Sequence, residues 1–231
     1  MKTFCIIALL AFSVNSFGQV NREWVKRFNG TDNRFDIANT MKLDENGNII
    51  VYGHTASTST FSVIFVIKYS PAGGVLWQTT FNGYSNSVDE CKSALIDDAG
   101  NSCITGFTAD TNQVVKIVTL KLNSSGVILW SKVFLPPAYN QGLGLSITND
   151  NNGNIYTCGS TRRTNGSNTV TIIKYSATGE LLNTAFFNKT LTSSETPVNI
   201  CTDNVGNVYV LSSSNAIGGL DDILLLKYNS S

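Results

Sequence analysis

The sequence predicts an all-β chain built from four copies of one unit, and three observations predict it. A turn followed by a strand, LDENGNIIVYG at 43–53, returns as IDDAGNSCITG at 96–106, NDNNGNIYTCG at 149–159 and TDNVGNVYVLS at 202–212. The copies keep an interval of 53 residues without insertion: Asp44, Asp97, Asp150 and Asp203 obey it, as do Gly47, Gly100, Gly153 and Gly206, and Lys68, Lys121, Lys174 and Lys227. Charged residues make up only 14% of the 231-residue chain, while Asn, Ser, Thr and Gly abound, which suits turns and strand edges better than helix faces.

Each unit divides into four strand-like pieces, in the first copy WVKRF (24–28), ANTMKLD (38–44), NIIVYG (48–53) and VIFVIKY (63–69). Turn formers separate them: Asn29-Gly30, Glu45-Asn46-Gly47, and Pro71 to Gly74. No segment carries a helical period. Runs such as VIFVI and DILLL are apolar at consecutive positions, so both faces of those strands must be covered. A two-sheet sandwich would leave alternate residues polar, whereas a blade packed between two neighbours would not. A period near 50 residues is that of a unit that cannot bury its faces alone and stacks on copies of itself. The fold class predicted is therefore an all-β β-propeller of four 53-residue, four-stranded blades, with repeat units at 24–76, 77–129, 130–182 and 183–231.

The unit, a strand ending in Asp, two variable residues, Gly-Asn, an aliphatic-aromatic strand ending in Gly, then Lys-Tyr, a Gly turn and a Trp, resembles the bacterial β-propeller repeat called SBBP, found in exported proteins. The resemblance runs from Trp24 to Tyr228. It implies a propeller in a binding or scaffold role and brings no catalytic motif. Three positions depart from the pattern: Leu122 for Tyr, Asn183 for Trp and Ser212 for Gly.

By analogy with propellers whose strand before the Asp turn lines the axis, ANTMKLD is expected to be innermost and the Trp strand outermost. The N-terminal strand at 24–28 would then complete the last blade and close the ring, removing an exposed edge. Two rival arrangements stay open: a longer chain with more repeats, or two copies pairing as a homodimer to complete an eight-bladed ring.

The first 18 residues read as a secretory signal, with Lys2, an apolar run from Phe4 to Phe12, and small residues at Ser16 and Gly18. The run is too short to span a bilayer, so residues 19–231 are expected as a repeat domain that is secreted, periplasmic or at the cell surface, without membrane insertion after cleavage. Lys plus Arg and Asp plus Glu both total 16, and this balance supplies no basic field for nucleic acid. Cys91, Cys103, Cys158 and Cys201 fall at four different repeat positions, which reads as buried free thiols better than as disulfides. They offer no CxxC for zinc.

Function in such an array rests on residues that break the repeat. Two loop sets, 30–36, 83–89, 136–142 and 189–195 and the connections after the third piece, are expected on one face. Arg34, His54, Tyr84, Tyr139, Arg162 and Arg163 stand there without a repeat reason, and Asp36, Asp89 and Glu195 share one repeat position before the innermost strand. These nine are the candidate ligand-binding residues, in a mixed polar and aromatic mouth suited to a glycan or protein ligand. The repeated Asp-x-x-Gly-Asn lacks the spacing of a calcium loop and reads as a capped hairpin. The repeated Lys reads as a stem along a blade edge with its head in water. His54 is the single histidine and has no evident nucleophile to serve, so no catalytic residue, metal or cofactor is expected. The competing class is a carbohydrate-active enzyme using carboxylates at the channel mouth, and a third is a fragment of a longer adhesin-like repeat protein.

Overall fold

The computed structural model describes residues 21–84, 87–215 and 220–229. The predicted signal segment lies outside them. Among the described residues fifteen strands form four antiparallel sheets, each a meander in chain order. The first sheet holds β1 (Asp36–Leu43), β2 (Ile49–Thr55), β3 (Val63–Tyr69) and β4 (Val75–Phe81). The second holds β5 (Asp89–Ile96), β6 (Ser102–Ala109), β7 (Val115–Leu122) and β8 (Ile128–Phe134). The third holds β9 (Tyr139–Asn149), β10 (Ile155–Arg163), β11 (Asn168–Tyr175) and β12 (Leu181–Phe187). The fourth holds β13 (Ser194–Thr202), β14 (Val208–Asn215) and β15 (Asp221–Tyr228).

The strands that open the second, third and fourth sequence repeats, with Trp77, Trp130 and Asn183, thus become the last strands of the preceding sheets. The first strands of successive sheets contact one another, β1 with β5, β5 with β9 and β9 with β13. They form the inner side of the array, as the sequence predicts, and each carries a bulge near its start, at Ala38/Thr40 in β1 and Cys91/Ser93 in β5. At this bulge the inner strand presses on the next: a Cβ at Gly53 or Gly106 would lie within 2 Å of the Ile37 or Glu90 carbonyl oxygen. In the fourth sheet Ser212 takes this place, opposite Pro197.

The core consists of three layers, each between two sheets, and a smaller cluster of Phe65, Ile67 and Tyr69 on the first sheet, covered by Phe28. Ile50, Tyr52, Ile64 and Val66 of the first sheet meet Cys91, Ala94, Ile104, Val118, Leu120 and Leu122 of the second. Cys103 and Ile117 of the second meet Ile147, Ile155, Ile173 and Tyr175 of the third. Tyr156, Cys158, Val170 and Ile172 of the third meet Ile200, Val208 and Val210 of the fourth. The middle strands are covered on both faces, the physical meaning of their unbroken apolar runs. Each fully buried Ile or Leu in these layers contributes about 1.5 to 3 kcal/mol.

A staple repeats at the outer rim. Trp77 donates from Nε1 to the Ser124 carbonyl of the next sheet at 3.0 Å, and Trp130 to the Ala177 carbonyl at 3.1 Å. Each indole lies on the glycine of that turn, Gly126 or Gly179. Asn183 replaces the next Trp, and a cavity of about 230 Å³ lined by Asn183, Tyr156, Ile172 and Tyr228 lies beside it.

Two expectations need correction. The fourth sheet has three strands, and the segment 24–28, expected as its outer strand, forms no ladder with β15. That segment is held instead on the first sheet, by the Trp24 Nε1 bond to the Pro71 carbonyl at 3.0 Å and by Phe28 stacked on Phe65 at 4.2 Å. Among the cysteines, all four are unpaired, and Cys91, Cys103 and Cys158 are buried, with burial pushing their thiols up to about 12. Cys201 is exposed, because it lies on the fourth sheet at the repeat position of Leu95, which packs against the second-to-third layer.

Candidate ligand-binding face

Antiparallel connectivity sorts the loops by end. The Asp-Gly turns after the inner strands and the glycine turns before the outer ones share one end of the array. The sheet-to-sheet connections and the longer connections after β2, β6 and β10 share the other. These two loop sets are sewn together there by backbone bonds: Ala56 N–H to Phe35 O at 3.1 Å, Asp89 N–H to Ser62 O at 3.1 Å and Ala109 N–H to Val88 O at 2.9 Å.

The repeated Asp of the opposite end is a turn cap. Asp44 Oδ1 accepts from the Asn46 and Asn48 amides, each at 2.9 Å, and Oδ2 from the Asn48 side chain, with Gly47 at a φ of 72°. The same bonds recur at Asp97, Asp150 and Asp203. The expectation of lysine heads in water fails in the first two sheets. Lys68 and Lys121 are buried and pair with Asp44 at 2.8 Å and Asp97 at 2.9 Å. Burial pushes the Asp44 carboxyl up, but hydrogen bonds from Lys68 and Asn48 and the lysine charge outweigh it and hold the carboxyl at about 2. In the third and fourth sheets a tyrosine stands where Ile50 and Cys103 stand in the others. Its hydroxyl donates to the turn Asp, Tyr156 to Asp150 at 3.0 Å and Tyr209 to Asp203 at 3.2 Å, and Lys174 and Lys227 lie over the tyrosine rings. With these donors in place the motif is a structural hairpin lock. Among the described residues no group of three or more His, Cys, Asp or Glu side chains is placed to hold a metal ion.

On the loop face, the carboxylates at one repeat position act as latches. Asp36 accepts from Gly30 N–H and Thr55, Asp89 from Gly83 N–H at 2.8 Å, and Glu195 from Lys189 N–H and Ser214. Each ties the incoming sheet connection to its own sheet. Asp89 and Glu195 are fully buried, and burial pushes the Asp89 carboxyl above its ordinary range. Arg163 donates to Asn188 Oδ1, and Asn188 Nδ2 donates to Glu195 at 2.9 Å. The structure thereby joins Arg163 and Glu195 through one amide.

The remaining sequence-predicted residues are spread out. His54 is buried on β2, its Nδ1 3.2 Å from Asn39 Oδ1, and burial pushes its pKa below the ordinary value. Tyr84 lies under the Lys116 ammonium, and Tyr139 stacks on Phe186. Arg162 is exposed in a cleft of about 420 Å³ between the third and fourth sheets. Arg34 borders a second cleft, of about 440 Å³, between the first and second sheets, with Phe35, Phe61, Glu90 and the hydroxyls of Ser57, Thr58, Ser59 and Thr60.

Phe35 and Phe61 are the residues missed by the sequence reading. Both are exposed, at 53% and 68%, and both are unique to the first unit, since the second has Val88 and Val114 in their places. That loss of repeat identity was the available signal. Asp32 fixes the loop that carries the hydroxyls, accepting from Thr58 N–H at 2.6 Å and Thr58 Oγ1 at 2.9 Å.

This is a β-propeller-like all-β fold with a polar and aromatic loop face. Comparison with solved structures agrees on the fold. The chain is similar to a protein of unknown function from Dyadobacter fermentans, with a TM-score of 0.53 at 11% identity, covering 82% of this chain and 65% of that one. It is also similar to the alpha-L-arabinanase of Penicillium chrysogenum, a β-propeller solved with arabinobiose, with a TM-score of 0.55 at 11% identity, covering 81% of this chain and 60% of that one. The chain thus spans less than two thirds of the length of either. No protein-family model matches the chain, and no curated protein does.

Proposed function

We propose that this protein is an exported propeller-type binding module that holds an oligosaccharide in the cleft between the first two blades. The observation that carries the reading is the pair of exposed phenylalanines, Phe35 and Phe61, flanking a cleft rich in hydroxyls and bordered by Arg34 and Glu90. Sugars offer an apolar ring face and a polar rim. A site with aromatic surface for the one and fixed hydroxyl and charged groups for the other matches both. Export is inferred from the N-terminal segment, and SBBP-type repeats, which the sequence pattern resembles, support the same setting.

Asp36 and Glu195 have both carboxylate oxygens engaged by the chain itself, and Asp89 is fully buried, which favours binding over glycoside hydrolysis at that position. The test is calorimetric titration of the purified protein with neutral and acidic oligosaccharides, arabinobiose among them, alongside Phe61→Ala and Arg34→Ala variants. Binding that weakens about tenfold in Phe61→Ala, equivalent to about 1.4 kcal/mol, with unchanged unfolding, supports the cleft. Binding unaffected by both substitutions, or absent for every sugar, sinks it.

A further inference from the structure

The two ends of the blade array present the two halves of one interface. In every internal layer the leading face of a blade uses the same repeat positions: Ile64 and Val66 in the first, Ile117 and Thr119 in the second, Val170 and Ile172 in the third. The fourth blade carries Ile223 and Leu225 at these positions, and both are exposed, at 88% and 67%. Leu211 and Cys201 are exposed on the same blade.

The trailing face of the first blade is the matching half. Its Ala38, Met41, Val51, Phe65, Ile67 and Tyr69 stand 53 residues before Cys91, Ala94, Ile104, Val118, Leu120 and Leu122, the residues that receive a blade in the first layer. All six line a groove of about 350 Å³ whose outer wall is Trp24, Lys26 and Phe28. Met41 is 67% exposed, while its counterpart Ala94 is buried.

The outer wall identifies the occupant. Trp24 bonds the Pro71 carbonyl across a sequence separation of 47, as Trp77 does Ser124 and Trp130 does Ala177. In those two cases the Trp belongs to the outer strand of the blade packed against the turn. Segment 24–28 therefore sits where the outer strand of a preceding blade would sit, packed on Phe65, Ile67 and Tyr69, and leaves the inner part of the same face, Ala38 and Met41, exposed beside it. The fourth sheet supplies three strands, and β15 has a free edge among the described residues. Among the described residues the chain's own fourth blade makes no packing layer with its first.

We propose that the fourth blade of one copy seats in the first-blade groove of a second copy, head to tail. β15 of the one then pairs with segment 24–28 of the other. The pairing of Ile64 with Phe81, Val66 with Thr79 and Lys68 with Trp77 sets the register, placing Ile223 against Phe28, Leu225 against Lys26 and Lys227 against Trp24. The contact is heterologous, so two copies can satisfy each other in a ring and further copies can extend it.

Heterologous contact has a signature that an isologous one lacks. Ile223→Asp with Leu225→Asp disables the leading face, and Met41→Asp disables the trailing one. All three residues are exposed, so folding is retained, and circular dichroism verifies it. Sedimentation equilibrium of the purified protein should give an assembly above the monomer mass, and each variant alone should be a monomer. An equimolar mixture of the two variants should return to a heterodimer, because one good face of each kind remains. Alkylation of Cys201 should be slower in the wild type than in either variant. A wild type that is monomeric at every concentration overturns the proposal, as does either variant that keeps the wild-type mass.

Discussion

The internal layers and the fourth-blade end of this molecule are written with the same residue types and behave oppositely. Ile117 between the second and third blades is 0% exposed and Ile223, two periods on, is 88% exposed. Nothing in either side chain differs. Burial here belongs to the neighbour rather than to the residue, which is the defining physics of a repeat array: each unit contributes a surface, and only stacking turns it into a core.

The sharpest test of that comparison is a matched truncation. Ile117→Ala should cost about 2 to 5 kcal/mol, through lost transfer energy and the cavity left behind. Ile223→Ala should cost under about 0.5 kcal/mol in the monomer. Denaturant unfolding of both at low protein concentration gives the difference, and equal losses would show that the fourth blade is covered in solution.

A second pair contrasts the lysines. Lys121 is buried against Asp97, so Lys121→Ala should cost about 1.5 to 3 kcal/mol, the range of hydrogen bonds to charged groups. Lys227 is exposed and lies over the Tyr209 ring, and Lys227→Ala should cost about 0.5 to 1 kcal/mol. Thermal melts of the two variants check the order, and a reversed order would break the assignment of Lys121 as a lock.

The bulge gives a third pair. Gly106→Ala brings a methyl against the Glu90 carbonyl oxygen and should cost about 1 to 3 kcal/mol as the inner strand is pushed aside. Ser212→Ala at the matching position of the fourth blade removes one bond to the Ser213 carbonyl and should cost about 1 kcal/mol or less.

A fourth effect is acid sensitivity. Asp44 is held at about 2 in the folded state, against 3.8 for an ordinary aspartate. Its contribution to stability is present above about pH 4. Between about pH 4 and 2 the unfolded chain takes up the proton first, so stability falls as pH drops through that window. Asp44→Asn should flatten this slope, and urea midpoints measured from pH 5 to 2 would reveal an unchanged slope if the lock is absent.

Much of this architecture was legible in the chain. The 53-residue interval, the Asp-Gly turns and the continuous apolar runs are local signals, and they placed four sheets, an inner strand and a shared loop end. The lysine heads were misplaced because a side chain of that length can reach water or a carboxylate with equal ease, and only the fold set Asp44 within 2.8 Å of Lys68. The segment 24–28, expected as the outer strand of the last blade, forms no ladder there and packs on the first sheet instead, since periodicity specifies a seat and leaves its occupant open. Of the candidate site, Arg34 was found by its lack of repeat counterparts, whereas Phe35 and Phe61 share that signal and were not singled out.

By itself, then, the sequence determined the repeating unit, because turn chemistry and strand pattern act over a few residues and are the same in every copy. Only the tertiary structure decided which loops meet across two blades, which carboxylates turn inward and which faces stay open, because these depend on distances between residues far apart in the chain.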